Sequence, residues 1–95
     1  MRQLLDAEQI TAFCRDQAVW RYEDSSLVRA ITLPTFLEGI ALVGAVALVA
    51  EELDHHPDID IRWRTVTFRL STHSAGGVTE LDLNLARRID ALACG

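Results

Sequence analysis

The stretch PDIDIRWRTVTFRL, residues 57–70, decides the fold. Ile59, Ile61 and Trp63 alternate with polar residues in odd register, whereas Val66, Phe68 and Leu70 alternate in even register. Successive side chains of an extended chain point to opposite faces, so a shift of one residue turns every apolar group over. One uninterrupted strand cannot bury both sets on one face. A break near Arg64-Thr65 is therefore expected, as a tight hairpin or a pronounced bulge.

Upstream, Pro57 disfavours the α region at His56, so a helix should stop near His55. That helix runs from residue 36 to about 54, behind Pro34 and a capping box of Thr35 and Glu38. Phe36, Ile40, Val43 and Ala47 share a side, but Leu37, Leu42, Val46, Val49 and Leu53 cover much of the rest. A helix apolar all round must be covered on more than one face. One sheet in a 95-residue chain covers one side, which predicts a subunit interface over the other. Its most apolar run, GIALVGAVALVA at 39–50, is bounded by Glu38 and Glu51 and falls short of the ~20 residues that span a bilayer. It reads as a buried helix, and no membrane partner is expected.

The remaining elements follow from local signals. Asp6 and Gln9 form a capping box, with Leu5 and Ile10 as hydrophobic staple, ahead of a stripe of Ile10, Phe13, Cys14 and Ala18. Trp20-Arg21-Tyr22 alternates like a short strand, Glu23-Asp24-Ser25 is turn chemistry, and residues 26–33 are strand-compatible. Ala75-Gly76-Gly77 is a loop. Thr79 and Asp82 cap a last helix whose stripe is Leu81, Leu85, Ile89 and Leu92. Trp20 and Trp63 are expected in or beside the core. The order α-β-β-α-β-β-α gives an α+β fold of two layers, a four-stranded antiparallel sheet with three helices on one face, in a single domain spanning residues 1–95.

Formal charge is −5. The basic residues Arg62, Arg64 and Arg69 alternate with apolar ones as the wet face of a strand, so no nucleic-acid partner is expected. MRQLLDAEQ carries no apolar signal-peptide region. Cys14 and Cys94 show no CxxC spacing and read as free thiols of a cytoplasmic protein. No glycine-rich phosphate loop and no serine-nucleophile elbow occurs.

Chemistry concentrates in His55, His56 and His73, the side chains whose ordinary titration lies near neutrality. His55 and His56 stand where a helix ends, and His73 where a strand meets a glycine loop. Glu51 and Glu52 precede His55 and His56 by four residues and could each orient an imidazole. Three readings are open. The histidines act as general acid and base. They bind zinc with a carboxylate, although adjacent residues rarely point at one ion and no Cys or HxH spacing helps. Or they are satisfied polar groups at a helix end.

The pattern Glu51-x3-His55-His56-Pro57-x5-Trp63-x9-His73-x8-Asp82 resembles the signature of the pterin-4a-carbinolamine dehydratases, also known as dimerisation cofactors of a homeodomain transcription factor. Flanking text agrees: Thr35-Phe36-x-Glu38, Leu70-Ser71-Thr72-His73, Ala75-Gly76 and Asp82-x-Asn84-Leu85-Ala86. The resemblance implies the same sheet and three helices, a homodimer or homotetramer, and dehydration of a 4a-hydroxytetrahydropterin to quinonoid dihydropterin. That reaction recycles the cofactor of aromatic amino-acid hydroxylases and needs no metal and no redox cofactor. It implies His55 and His73 as proton-transfer groups and His56 as a positioning and electrostatic group. Pro57, Thr72, Ser74 and Ala75 match stretches around the pterin, with Glu51, Asp54 and Asp82 in support. Family members that act as assembly factors or coactivators supply the alternative, a non-catalytic dimeric interaction protein. Nothing in the chain speaks for a homeodomain partner.

Overall fold

The computed structural model describes residues 3–94, the side chain of residue 94 excepted. Helix α1 spans Ala7–Asp16, strand β1 Arg21–Glu23, β2 Ser26–Thr32, α2 Phe36–Leu53, β3 Asp58–Arg62, β4 Thr65–Leu70 and α3 Glu80–Cys94; a 3-10 turn covers His73–Ala75. The strands form one antiparallel sheet in the order β1-β2-β4-β3. Three helices lie on its one face, as the α-β-β-α-β-β-α order predicts.

The register switch is resolved by a two-residue turn, Trp63-Arg64, one residue earlier than the expected break. Arg62 pairs with Thr65, so Ile61 faces Val66 and Ile59 faces Phe68 on the helix side. The turn needs Trp63 at φ 52, and the residue is 72% exposed with the Arg64 guanidinium over its ring at 4.3 Å. The expectation that Trp63 packs in or beside the core is thereby corrected: a residue in the turn is carried past the sheet edge. Trp20, in contrast, is buried. The β1–β2 hairpin turns through Asp24 and Ser25, both at positive φ, which matches the right-handed twist of its strands.

One cluster of apolar side chains joins the layers: Phe13 from α1, Leu27 and Ile31 from β2, Val46 from α2, Phe68 from β4 and Ile89 from α3 are among its members. At Gly39 α2 comes close to the sheet, where a Cβ would stand 3.4 Å from the Val66 side chain, an ordinary van der Waals contact. On the sheet's helix-facing side, Arg29 of β2 reaches Asp90 of α3 at 2.5 Å, and the Trp20 indole N–H donates to the same oxygen at 2.8 Å. These bonds fix α3 against β1 and β2. The α3 stripe is displaced from the expected one. Leu85 and Ile89 are buried with Leu83 and Ala86, whereas Leu81 is half-buried and Leu92 is exposed.

The capping signals in the sequence act as read at α1, where Asp6 and Gln9 satisfy each other's backbone N–H at 2.8 and 2.9 Å. At α2 Thr35 accepts from the Glu38 N–H at 3.1 Å, without the return bond. The α2 face carrying Phe36, Leu37, Ile40 and Leu48 stays open, although all four are apolar.

Candidate active site

The end of α2 sets the site. The helix stops at Leu53, within a residue of the expected end at about 54, because Asp54 adopts the left-handed conformation at φ 50, ψ 45. Asp54 N–H bonds to the Glu51 carbonyl at 3.3 Å and His55 N–H to the Ala50 carbonyl at 3.0 Å, the two bonds of a Schellman motif. An aspartate in this conformation costs about 1 kcal/mol, and the two satisfied carbonyls offset it. His55 and His56 therefore follow the helix rather than ending it. The chain then enters β3 at Asp58.

The second segment comes from β4. Beyond Leu70 the chain closes on itself, with Thr72 N–H on the Gly77 carbonyl at 2.8 Å and Gly76 in the left-handed region at φ 78. His73 sits on the 3-10 turn inside this loop. Because β3 pairs with β4 antiparallel, the start of β3 and the end of β4 lie side by side, with Asp58 opposite Arg69. The two histidine segments thus meet.

They line one cleft of about 490 Å³, together with Asp54, Pro57, Asp58, Ser71, Thr72, Ser74 and Leu81. All three imidazoles border it, in three different environments. His55 is buried, and its Nε2 lies 2.6 Å from Oδ1 of Asp82, a fully buried carboxylate. His56 is exposed, and its Nε2 bonds to Oε2 of Glu51 in the last turn of α2. His73 is exposed and makes no side-chain hydrogen bond among the described residues. Glu52 does not serve His56; it pairs with Arg88 at 2.9 Å. Among the described residues no three His, Cys, Asp or Glu side chains converge closely enough to hold a metal ion.

Asp82 lies behind the cleft wall. Its Oδ2 accepts from the Thr79 N–H at 2.9 Å and from the Thr72 hydroxyl at 2.8 Å, while Oδ1 meets His55. It caps α3 and holds an imidazole at once. Asp54 borders the cleft but makes no hydrogen bond to an imidazole, and Ala75 is outside the lining. Thr72 is 4% exposed, with its hydroxyl engaged by Asp82 and Thr79. Residue-by-residue reading gave no site role to Leu81 or Thr79. Each looks like ordinary helix-start residues, and their part depends on what the fold brings beside them.

A larger hollow of about 600 Å³ lies between α1 and β1, bordered by Leu5, Ile10, Cys14, Trp20 and Tyr22 among others. No histidine or carboxylate borders it; its titratable lining is Cys14, Arg15, Arg21 and Tyr22. Size alone does not mark the site.

Comparison with known proteins bears on the family and the fold. Residues 3–92 match the family model described as pterin 4 alpha carbinolamine dehydratase. A relative from Mycobacteroides abscessus, provisionally named pterin-4-alpha-carbinolamine dehydratase, is 56% identical over 87 residues, covering 92% of this chain and 93% of its own. One from Nocardia farcinica with the same provisional name is 53% identical, covering 96% of each chain. Among solved structures, the transcriptional coactivator/pterin dehydratase from Brucella melitensis superposes with a TM-score of 0.89 at 33% identity, over 94% of this chain and 97% of that one. A pterin dehydratase-like protein identified as a RuBisCO assembly factor in the alpha-carboxysome superposes at 0.64 with 25% identity, over 78% of this chain and 86% of that one. No helix among the described residues is long and apolar enough to cross a membrane. By sequence match along nearly its whole length and by fold, the chain belongs to the pterin 4 alpha carbinolamine dehydratase family.

Proposed function

We propose that this protein dehydrates a 4a-hydroxytetrahydropterin to the quinonoid dihydropterin by histidine acid/base catalysis, recycling the pterin cofactor of aromatic amino-acid hydroxylases in the cytoplasm. The C4a–O bond breaks, and its electron pair leaves with an oxygen that takes a proton from the acid and departs as water. The N5 proton passes to the base, and the N–H pair closes the C4a=N5 double bond. One acid and one base with ordinary pKa near neutrality suffice.

The observation that carries this reading is the meeting of three imidazoles, differently held, on one cleft wide enough for a bicyclic ring. His55, held from behind by Asp82, and His73, bound to no other described residue, are the proton-transfer pair. His56, steadied by Glu51 at the rim, positions the substrate. Pro57 and Ser74 border the ring's place, with Ala75 behind Ser74 in the same turn. Asp54 shapes the wall by ending α2. Self-association into a dimer or tetramer covers the open α2 face of Phe36, Leu37, Ile40 and Leu48.

A second reading is favoured by one observation. The structural relative identified as a RuBisCO assembly factor has the same fold, so a non-catalytic assembly or interaction protein is the rival. Mixing the purified protein with a hydroxylase-generated 4a-carbinolamine, and following quinonoid dihydropterin, separates the two. The enzyme reading expects acceleration over buffer. No acceleration, or His55→Ala and His73→Ala both matching wild type, leaves the rival.

A further inference from the structure

We infer that Thr72 and Thr79 are positioning residues, forming a one-way hydroxyl relay that fixes the proton between Asp82 and His55 and leaves Nδ1 of His55 as its reactive nitrogen. The inference rests on the dehydratase reading for its catalytic consequence, but not for its structure. Thr79 is 1% exposed and Thr72 4%, so neither hydroxyl has water to fall back on. A buried hydroxyl has one proton to give, and each bond in such a chain fixes the next.

The protons can be followed from the helix inward. Leu81 N–H points at Oγ1 of Thr79, 3.3 Å away. Oγ1 of Thr79 lies 2.7 Å from Oγ1 of Thr72, and Oγ1 of Thr72 lies 2.8 Å from Oδ2 of Asp82. Thr72 gives its proton to the carboxylate, so the bond between the two threonines is donated by Thr79. Thr79 N–H also donates to Oδ2, at 2.9 Å. With Oδ2 filled by two donors, Oδ1 is left for Nε2 of His55. A carboxylate that takes two donors at Oδ2 is an acceptor at Oδ1 as well, so the shared proton resides on Nε2. The neutral ring then carries its lone pair on Nδ1. That atom makes no hydrogen bond among the described residues and is not sealed from solvent, and His55 borders the cleft.

This assigns Thr72 a role different from touching the pterin. Its side chain acts through Asp82 and His55, and Thr79, which sequence reading treats as a helix cap, acts through Thr72. Two kinds of measurement test the relay. Two-bond nitrogen–proton couplings in the imidazole distinguish the Nε2–H from the Nδ1–H form of His55, in wild-type protein with the ring neutral. Steady-state kinetics on the 4a-carbinolamine compare Thr72→Val with Thr72→Ser and Thr79→Val with Thr79→Ser.

The expected results are an Nε2–H ring in wild type and, for Thr72→Val, kcat lowered about tenfold, the scale of one bond to a charged group, with KM within about twofold. The serine variants should stay near wild type, since they keep the hydroxyl. An Nδ1–H ring in wild type overturns the relay. So does Thr72→Val raising KM with kcat unchanged, which means a direct substrate contact. If Thr72→Val does not fold, Thr79→Val carries the same readouts. Should the wild-type protein lack dehydratase activity, the function reading fails while the coupling measurement still decides the relay.

Discussion

Replacing Asp82 by Asn separates its two duties, capping α3 and holding His55. The substitution keeps the shape of a side chain with no exposed surface. The asparagine oxygen must stay toward the Thr79 N–H and the Thr72 hydroxyl, because both are donors. Its amide nitrogen then faces Nε2 of His55, in the place of Oδ1 at 2.6 Å. An amide nitrogen only donates, so Nε2 must accept and the ring proton moves to Nδ1. The base is lost. An analogous swap in Ser-His-Asp hydrolases costs about 10⁴-fold through the wrong tautomer, and positioned acid/base groups generally contribute about 10²–10⁴-fold. A fall in kcat within that range is expected. Removing the charge from the first turn of α3 costs about 0.3–1 kcal/mol through the helix dipole. Weaker bonds to Thr72 and Thr79 add about 1 kcal/mol. At about 4–8 °C per kcal/mol for a domain of this size, Tm should fall by roughly 5–15 °C. Dehydration kinetics and thermal unfolding of the same preparation give both numbers. A lowered Tm with kcat within about twofold of wild type would refute the reasoning, because Asp82 would then be a cap and nothing else.

His56→Ala should raise KM with stability changed by less than about 1 kcal/mol, since its bond to Glu51 is at the exposed rim; equilibrium unfolding and KM together check it. Leu48→Glu, at a position 75% exposed on the open α2 face, should convert an oligomer into a 10.6 kDa monomer by light scattering; a wild type already monomeric contradicts the interface. Hydrogen bonds from Arg21, then Arg69, hold the Glu23 carboxyl below its ordinary 4.5. Its stabilising contribution is therefore present above pH 4.5 and lost as pH falls through the lower folded value, so the Tm difference between wild type and Glu23→Gln should shrink to nothing in acid.

The hairpin at residues 57–70 was legible because strand periodicity is local: two apolar sets in opposite register admit few solutions. The caps at Asp6 and Thr35 were legible for the same reason. What was hidden depended on backbone conformations that side-chain pattern does not encode. Asp54 at positive φ ends α2 before Pro57 is reached, and Trp63 at positive φ leaves the sheet. Leu92 sits at helical spacing from Ile89, yet it is exposed because α3 rolls Leu83 and Ala86 inward. The histidines were conspicuous as residues, but their meeting was not. It requires β3 and β4 to pair in the register that sets Asp58 opposite Arg69, and it joins His55 to an aspartate 27 positions away. Glu51 and Glu52 show the limit of spacing rules: with the helix already ended, His56 bonds Glu51 and Glu52 turns to Arg88.

The most direct measurement is a double-mutant comparison of dehydration rates for wild type, His55→Ala, His73→Ala and the double variant. Two groups whose proton transfers belong to one elimination act as a unit, and their losses are not additive. The account predicts that each single variant loses about 10²-fold or more in kcat and that the double variant falls little further. A wild-type rate no faster than buffer, or single variants that retain full activity, would contradict it.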